Sequence, residues 1–277
     1  MTGKIKNLDK IKVANINKNI FNQDYIAEAY DDYQSIFQCL KIETWEQLEW
    51  LIKETKNQRE YGTFIFRGQR DCHWKPISSL EREITSDFDT IKNKHLENFR
   101  RFARGKINEQ FLLQKTEETE YINEIWAVGQ HMGLKTPLLD WSKSFFISLF
   151  FAFKERNNNS PYRAVFCLNS DILDRGLNYV SEIFEPISDP YGRLTAQQGL
   201  FLTNKAIIYI RDKLNRNINN KNSREANIKI ARKYFINNKL RDEIIDYLDF
   251  IGIKIDTIYP DIQGVIEKVN EMLLKNK

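Results

Sequence analysis

Thr63-Phe64-Ile65-Phe66-Arg67-Gly68-Gln69 is a β-branched and aromatic run that turns polar at its end, which predicts a buried strand finishing at Arg67-Gly68. A turn at Tyr61-Gly62 precedes it. Before that, Thr44 with Gln47 three residues on is a capping box, and Trp45, Leu48, Leu51 and Ile52 share one face, predicting an amphipathic helix toward Lys56. After the strand, apolar residues recur from Phe88 to Gln114 at helical spacing, with a break near Gly105. A further helix is predicted from Thr119 to Gln130, ended by a left-handed cap at Gly133, and then an extended segment from Leu138 to Trp141.

Ser142 to Lys154 carries Phe145, Phe146, Leu149, Phe150 and Phe153, the pattern of a nearly all-buried helix lying on a sheet. Tyr162–Leu168, Leu200–Leu202 and Ala206–Ile210 read as strands, and Arg224–Phe250 as one or two helices with Ala231, Phe235, Ile244 and Leu248 inward. Strands scattered among unequal helices predict an α+β fold: a mixed, mostly antiparallel sheet core flanked by helices. Residues 1–43 are expected to be an N-terminal extension packed on a domain spanning 44–277.

A chain of 277 residues with 42% hydrophobic content can bury a large core. Its most apolar stretch, Phe145 to Phe153, is too short to span a bilayer, and the lysine-rich first residues lack the apolar segment of a secretory signal; no membrane association and a cytoplasmic location are expected. Cys39, Cys72 and Cys167 stand far apart and are read as reduced thiols. His73, His95 and His131 show no metal-ligand spacing, which argues against a histidine-rich metal site; no metal is expected, with one held mainly by carboxylates as the open alternative. A formal charge of +4 permits anionic partners without demanding them. The densest basic cluster, Arg211 to Lys233, is read as a solvated loop and helix face, with a nucleic-acid stripe as the alternative.

Several segments carry a family resemblance. Phe64-Ile65-Phe66-Arg67-Gly68-Gln69-Arg70-Asp71, then Trp74-Lys75-Pro76 and Ser79-Leu80-Glu81-Arg82, resemble the opening motif of the FRG family. Gln130-His131-Met132-Gly133, then Leu138-Leu139-Asp140-Trp141-Ser142 running into Phe151-Ala152-Phe153, are similar to the family's QHxG, LLDW(S/T) and FAF elements. Gln197-Gln198-Gly199-Leu200-Phe201 is similar to its QxGxF signature, and Phe250-Ile251-Gly252-Ile253 to Tyr259-Pro260-Asp261 to its closing element. Pro137 stands where many members carry arginine, and Ser142 where threonine is commoner.

The motif order also resembles, more distantly, the ADP-ribosyltransferase fold. That resemblance implies NAD as substrate, with Arg67, Ser142 and Gln197 as catalytic residues and Arg67, Gly68, His131 and Asp140 as cofactor-binding residues. In this reading Arg67 grips the pyrophosphate, Gly68 lets backbone approach the ligand, Ser142 fixes ring or ribose geometry and Gln197 holds the ribose. Macromolecular acceptors, protein or nucleic acid, and an antitoxin or regulatory partner are implied, as for a toxin or anti-phage effector. Other readings stay open: Arg67 paired with Asp140 in a buried bridge, Asp140 as a cap or turn acceptor, and His131 as a hydrogen-bonded helix-end residue. At the level of the whole protein, the alternatives are a noncatalytic nucleotide- or phosphate-recognising module and a nucleic-acid binder or processing protein.

Overall fold

A computed structural model describes residues 20, 26–27, 37–57, 63–108, 110–113, 118–156, 160–170, 183–203 and 231–275. Among these residues eight strands form one sheet: β1 (Ile26–Ala27), β2 (Gln38–Ile42), β3 (Phe64–Gln69), β4 (Leu138–Ser142), β5 (Tyr162–Asn169), β6 (Ile183–Phe184), β7 (Gly199–Thr203) and β8 (Ala231–Asn237). Their spatial order is β1-β2-β8-β5-β3-β4-β7-β6, and every pairing is antiparallel except β2 with β8. The sheet is thus mixed and mostly antiparallel. It also begins before Thr44, because β2 pairs along its whole length with β8.

Among the same described residues eight α-helices accompany the sheet: α1 (Trp45–Asn57), α2 (Phe88–Phe102), α3 (Thr119–His131), α4 (Phe145–Phe153), α5 (Arg193–Ala196), α6 (Arg241–Phe250), α7 (Ile255–Ile258) and α8 (Ile262–Lys275). The strand alternation divides the core between the two faces. Phe64, Phe66, Val165, Cys167, Tyr234 and Ile236 join α1, α4 and α6 in one cluster, while Ile65, Ala164, Phe166, Leu168 and Phe235 join Leu139, Trp141 and Leu200 in another. A third cluster seats α2 and α3 on Leu138 and Phe201. All three cysteines are buried and none forms a disulfide, and burial pushes the Cys167 thiol up to about 11.

Local signals explain the boundaries. Thr44 Oγ1 accepts the Gln47 N–H at 3.3 Å, but the Gln47 side chain reaches one residue further back than a capping box requires, to the Glu43 N–H at 2.6 Å. Gln47 Nε2 also donates to the Ile20 carbonyl at 3.2 Å. At Gly133, φ is +90°, the left-handed conformation that ends α3. Helix α4 starts at the Ser144 side chain, which accepts the Ile147 N–H. The fully buried Arg163 closes its C-terminal end: Nη1 donates to the Ala152 carbonyl at 2.9 Å, and Nη2 donates to the Glu155 carbonyl just past the helix at 3.0 Å.

The helical reading of Arg224–Phe250 is corrected. Ala231–Asn237 is a strand inside the sheet, between β2 and β5, and a helix starts only at Arg241. Residues 204–230 lie outside the described residues, and with them the Ala206–Ile210 strand and most of the Arg211–Lys233 basic stretch. The adjacent charges Arg232 and Lys233 disguise the strand, yet both are buried rather than solvated. Lys233 Nζ donates to the Cys72 carbonyl at 2.7 Å and lies over the Phe166 and Phe235 rings, while Arg232 lies over Phe64. Hydrogen bonding and ring faces offset the desolvation of these cations.

Candidate functional site

Strands β3, β4 and β7 are neighbours in the sheet, and they carry or adjoin Arg67, Ser142 and Gln197. β3 and β4 meet at one register position, Phe66 opposite Ser142, and separate beyond it. Arg67 fills the opening: its Nη1 donates to the Asp140 backbone carbonyl at 2.5 Å, where a strand ladder would otherwise continue. A cavity of about 360 Å³ lies at this divergence, and Arg67, Gly68, His131, Asp140, Ser142 and Gln197 all line it. The residues singled out from sequence therefore converge on one site.

Arg67 is the most constrained of them. Its side chain is 16% exposed against 64% for Asp140, and the Nη1 to Oδ2 separation is 3.8 Å. The expected bridge exists, but it joins a buried guanidinium to an exposed carboxylate, with the closer bond going to the backbone. Burial pulls the Arg67 pKa below its ordinary value, Asp140 counters this, and the neighbouring Arg82 adds to the fall. Asp140 sits inside β4 rather than at a cap or turn, and its Oδ1 accepts from Gln130 Nε2 at 2.6 Å. Thr136 Oγ1 in turn donates to Gln130 Oε1, so the chain Thr136–Gln130–Asp140 steadies the acid beside Arg67.

Ser142 and Gln197 are already engaged. Ser142 Oγ donates to the Gln197 carbonyl at 2.7 Å and accepts the Ser144 N–H at 3.0 Å. Gln197 Nε2 donates to the Ile258 carbonyl at 3.2 Å, tying the end of α5 to α7. What remains for a ligand is a second lone pair on Ser142 Oγ, the Gln197 Oε1 acceptor and the second Nε2 hydrogen.

Gly68 has a packing reason of its own. A Cβ there would stand 1.9 Å from the Ser148 carbonyl oxygen and 2.8 Å from the Ala152 nitrogen, so the approach of α4 to β3 by itself demands glycine.

His131 is the last residue of α3, and its buried Nδ1 has no hydrogen-bond partner. Burial lowers its pKa, with Asp189 and Asp140 partly opposing. The charged form is therefore less stable folded than unfolded, so its contribution to stability is complete above the unfolded value of about 6.5 and is lost as pH falls through the lower folded value. Urea unfolding of the wild type should show stability declining as pH drops below about 6.5, and His131→Gln should flatten that decline. An unchanged slope in the variant would assign the loss to other groups.

Sequence reasoning named no role for several further wall residues: Arg70, Trp74, Arg82, Arg193 and Tyr259. Arg70, Trp74, Arg82 and Tyr259 fall within the quoted motif segments and Arg193 lies just before one, so the signal was present, but linear spacing does not say which side chains turn toward a common space. Arg70 pairs with Glu155 and lies over the Trp74 ring, and Arg193 pairs with Asp261 and lies over Tyr259. Four buried polar atoms without partners, Arg67 Nε, Gln69 Oε1, His131 Nδ1 and Trp141 Nε1, belong to residues of this same wall.

Just past β3, Asp71, Cys72 and His73 bring a carboxylate, a thiol and an imidazole within 4.8 Å of one another. Asp71 Oδ1 accepts the His73 N–H at 2.8 Å, and Cys72 Sγ lies 3.5 Å from Ser160 Oγ, contacts that need no ion.

No curated protein and no solved structure matches the chain. A family model does: residues 62–161 match the FRG domain, a span that runs from β3 through α4 and includes Arg67, Arg82, His131, Asp140 and Ser142. The stretch of the chain that is similar to the FRG domain is thus the stretch that brings those residues to one cavity.

Proposed function

We propose that the Arg67 cavity binds NAD and that the FRG domain uses it in an ADP-ribosyltransferase-like reaction. The observation that carries this reading is the convergence of Arg67 from β3, Ser142 from β4 and Gln197 from the turn before β7 on a cavity that three further arginines, Arg70, Arg82 and Arg193, also line. A volume of about 360 Å³ lies within the range of small-molecule sites. Arginines for a pyrophosphate and aromatic rings at Trp74 and Tyr259 for a base or nicotinamide suit a dinucleotide. In the transfer, the C1′–N bond to nicotinamide breaks with its electron pair leaving on nicotinamide. An acceptor lone pair forms the new C1′ bond, and the acceptor proton passes to solvent. Gln197 contributes a neutral dipole to the developing positive charge where a carboxylate would stabilise it more, so slow turnover is expected. A macromolecular acceptor and a toxin or anti-phage role follow from the resemblance.

A second reading, recognition of a nucleotide without chemistry, is favoured by the hydrogen bonds that already occupy Ser142 and Gln197. Labelled NAD incubated with the protein and candidate proteins, DNA and RNA separates the two. Transfer or NAD loss that disappears in Arg67→Ala and falls in Gln197→Ala supports the enzyme; saturable binding with no turnover supports the module.

A further inference from the structure

We propose that Arg82 is the second arm of a two-guanidinium clamp, closing with Arg67 on the diphosphate of a nucleoside diphosphate; this rests on the nucleotide reading of the same cavity. Among the wall arginines, Arg70 is matched by Glu155 and Arg193 by Asp261, and Arg67 has its longer contact to Asp140. Among the described residues no hydrogen bond or ion pair is found for the Arg82 side chain, which is exposed and lines the cavity. Two guanidinium groups near one another, one of them buried with an unpartnered Nε, repel until an anion lies between them. A phosphate group relieves that repulsion and takes the planar donor forks of both side chains.

Arg82 is held in place by its backbone. Ser78 Oγ accepts the Glu81 N–H at 3.2 Å, and a Glu81 carboxylate oxygen accepts the Ser78 N–H at 2.8 Å, a reciprocal pair that fixes the turn. The Leu80 N–H donates to the Thr136 carbonyl at 3.1 Å, and Ser79 Oγ accepts the Thr136 N–H at 3.0 Å. Lys135 pairs with Glu83, holding that carboxyl below its ordinary pKa. The turn is therefore pinned to the segment that leads into β4, the strand bearing Asp140. A mobile, water-seeking arginine needs no such anchoring. A phosphate contact does, since a positioned side chain gives up less freedom on binding.

Calorimetric titration with ADP-ribose, inorganic pyrophosphate and adenosine tests the clamp. ADP-ribose should bind the wild type more tightly than adenosine, and Arg82→Gln should weaken ADP-ribose and pyrophosphate by about 10-fold or more, as loss of a charged hydrogen bond does. Adenosine binding and the melting curve should stay unchanged, and Arg82→Lys should restore part of the loss. If Arg82→Gln binds ADP-ribose like the wild type while Arg67→Ala does not, the clamp is wrong and the nucleotide site stands. If the wild type binds neither ADP-ribose nor pyrophosphate, both fall.

Discussion

Gly68→Ala is expected to destabilise the protein by on the order of 3 kcal/mol, because the new methyl meets backbone rather than a side chain that could turn away. The Ser148 carbonyl oxygen at 1.9 Å and the Ala152 nitrogen at 2.8 Å belong to α4, so relief requires β3 and the helix to part. Helix α4 is the element least able to move. Phe145, Ile147, Leu149, Phe150 and Phe153 are buried in it, and Arg163 and Arg241 hold carbonyls at its C-terminal end. Thermal unfolding should record a fall of roughly 6–12 °C for a protein of this size. A melt equal to wild type would mean that the helix and strand are less tightly apposed than described. Ligand binding, measured where the variant is still folded, should fall as well, since Arg67 adjoins the displaced glycine.

Arg67→Met is expected to separate binding from stability in the opposite way. The side chain is only 16% exposed, its Nε is buried and unpartnered, and its pKa is lowered by desolvation, so the folded state already bears a cost for holding this charge. Removing one partner of a buried pair is costly when the charge left behind is also buried, and here the partner, Asp140, is 64% exposed. The lost donor to the Asp140 carbonyl opposes this by about 1 kcal/mol, and the Asp140 carboxylate is exposed enough to be solvated alone. The melting temperature should therefore stay close to wild type or rise. ADP-ribose binding should drop by about 100-fold or more, the loss typical of a buried charge-assisted pair. A residue kept at a cost to stability and needed for binding is a functional residue. A large fall in stability with unchanged binding would make Arg67 a structural bridge instead.

The parts of the fold that were legible share a simple physical origin. β3, β4 and α4 are built from apolar side chains whose spacing matches their element, and their observed limits differ from the expected ones by a few residues at most. β8 was not legible, because Arg232 and Lys233 are buried through contacts with Phe64, Phe166, Phe235 and the Cys72 carbonyl that come from distant parts of the chain. β2 was assigned to the extension for a related reason: its partner is the strand that was missed. At the site, residue identity was legible and residue purpose less so. Gly68 reads as room for a ligand until α4 is placed against it. Ser142 and Gln197 read as free polar groups until their bonds to the Gln197 and Ile258 carbonyls are seen. Arg82 lies within a recognisable motif, but only the Thr136 anchor brings its turn to the cavity.

The central claim is that one cavity, formed where β3 and β4 separate, receives a nucleotide on Arg67. Isothermal titration of ADP-ribose into the wild type and into Arg67→Met, at low salt so that screening is weak, tests it most directly. The predicted result is saturable binding to one site in the wild type and its loss in a variant that melts like the wild type. No binding to the wild type, or equal binding to both proteins, would contradict the claim.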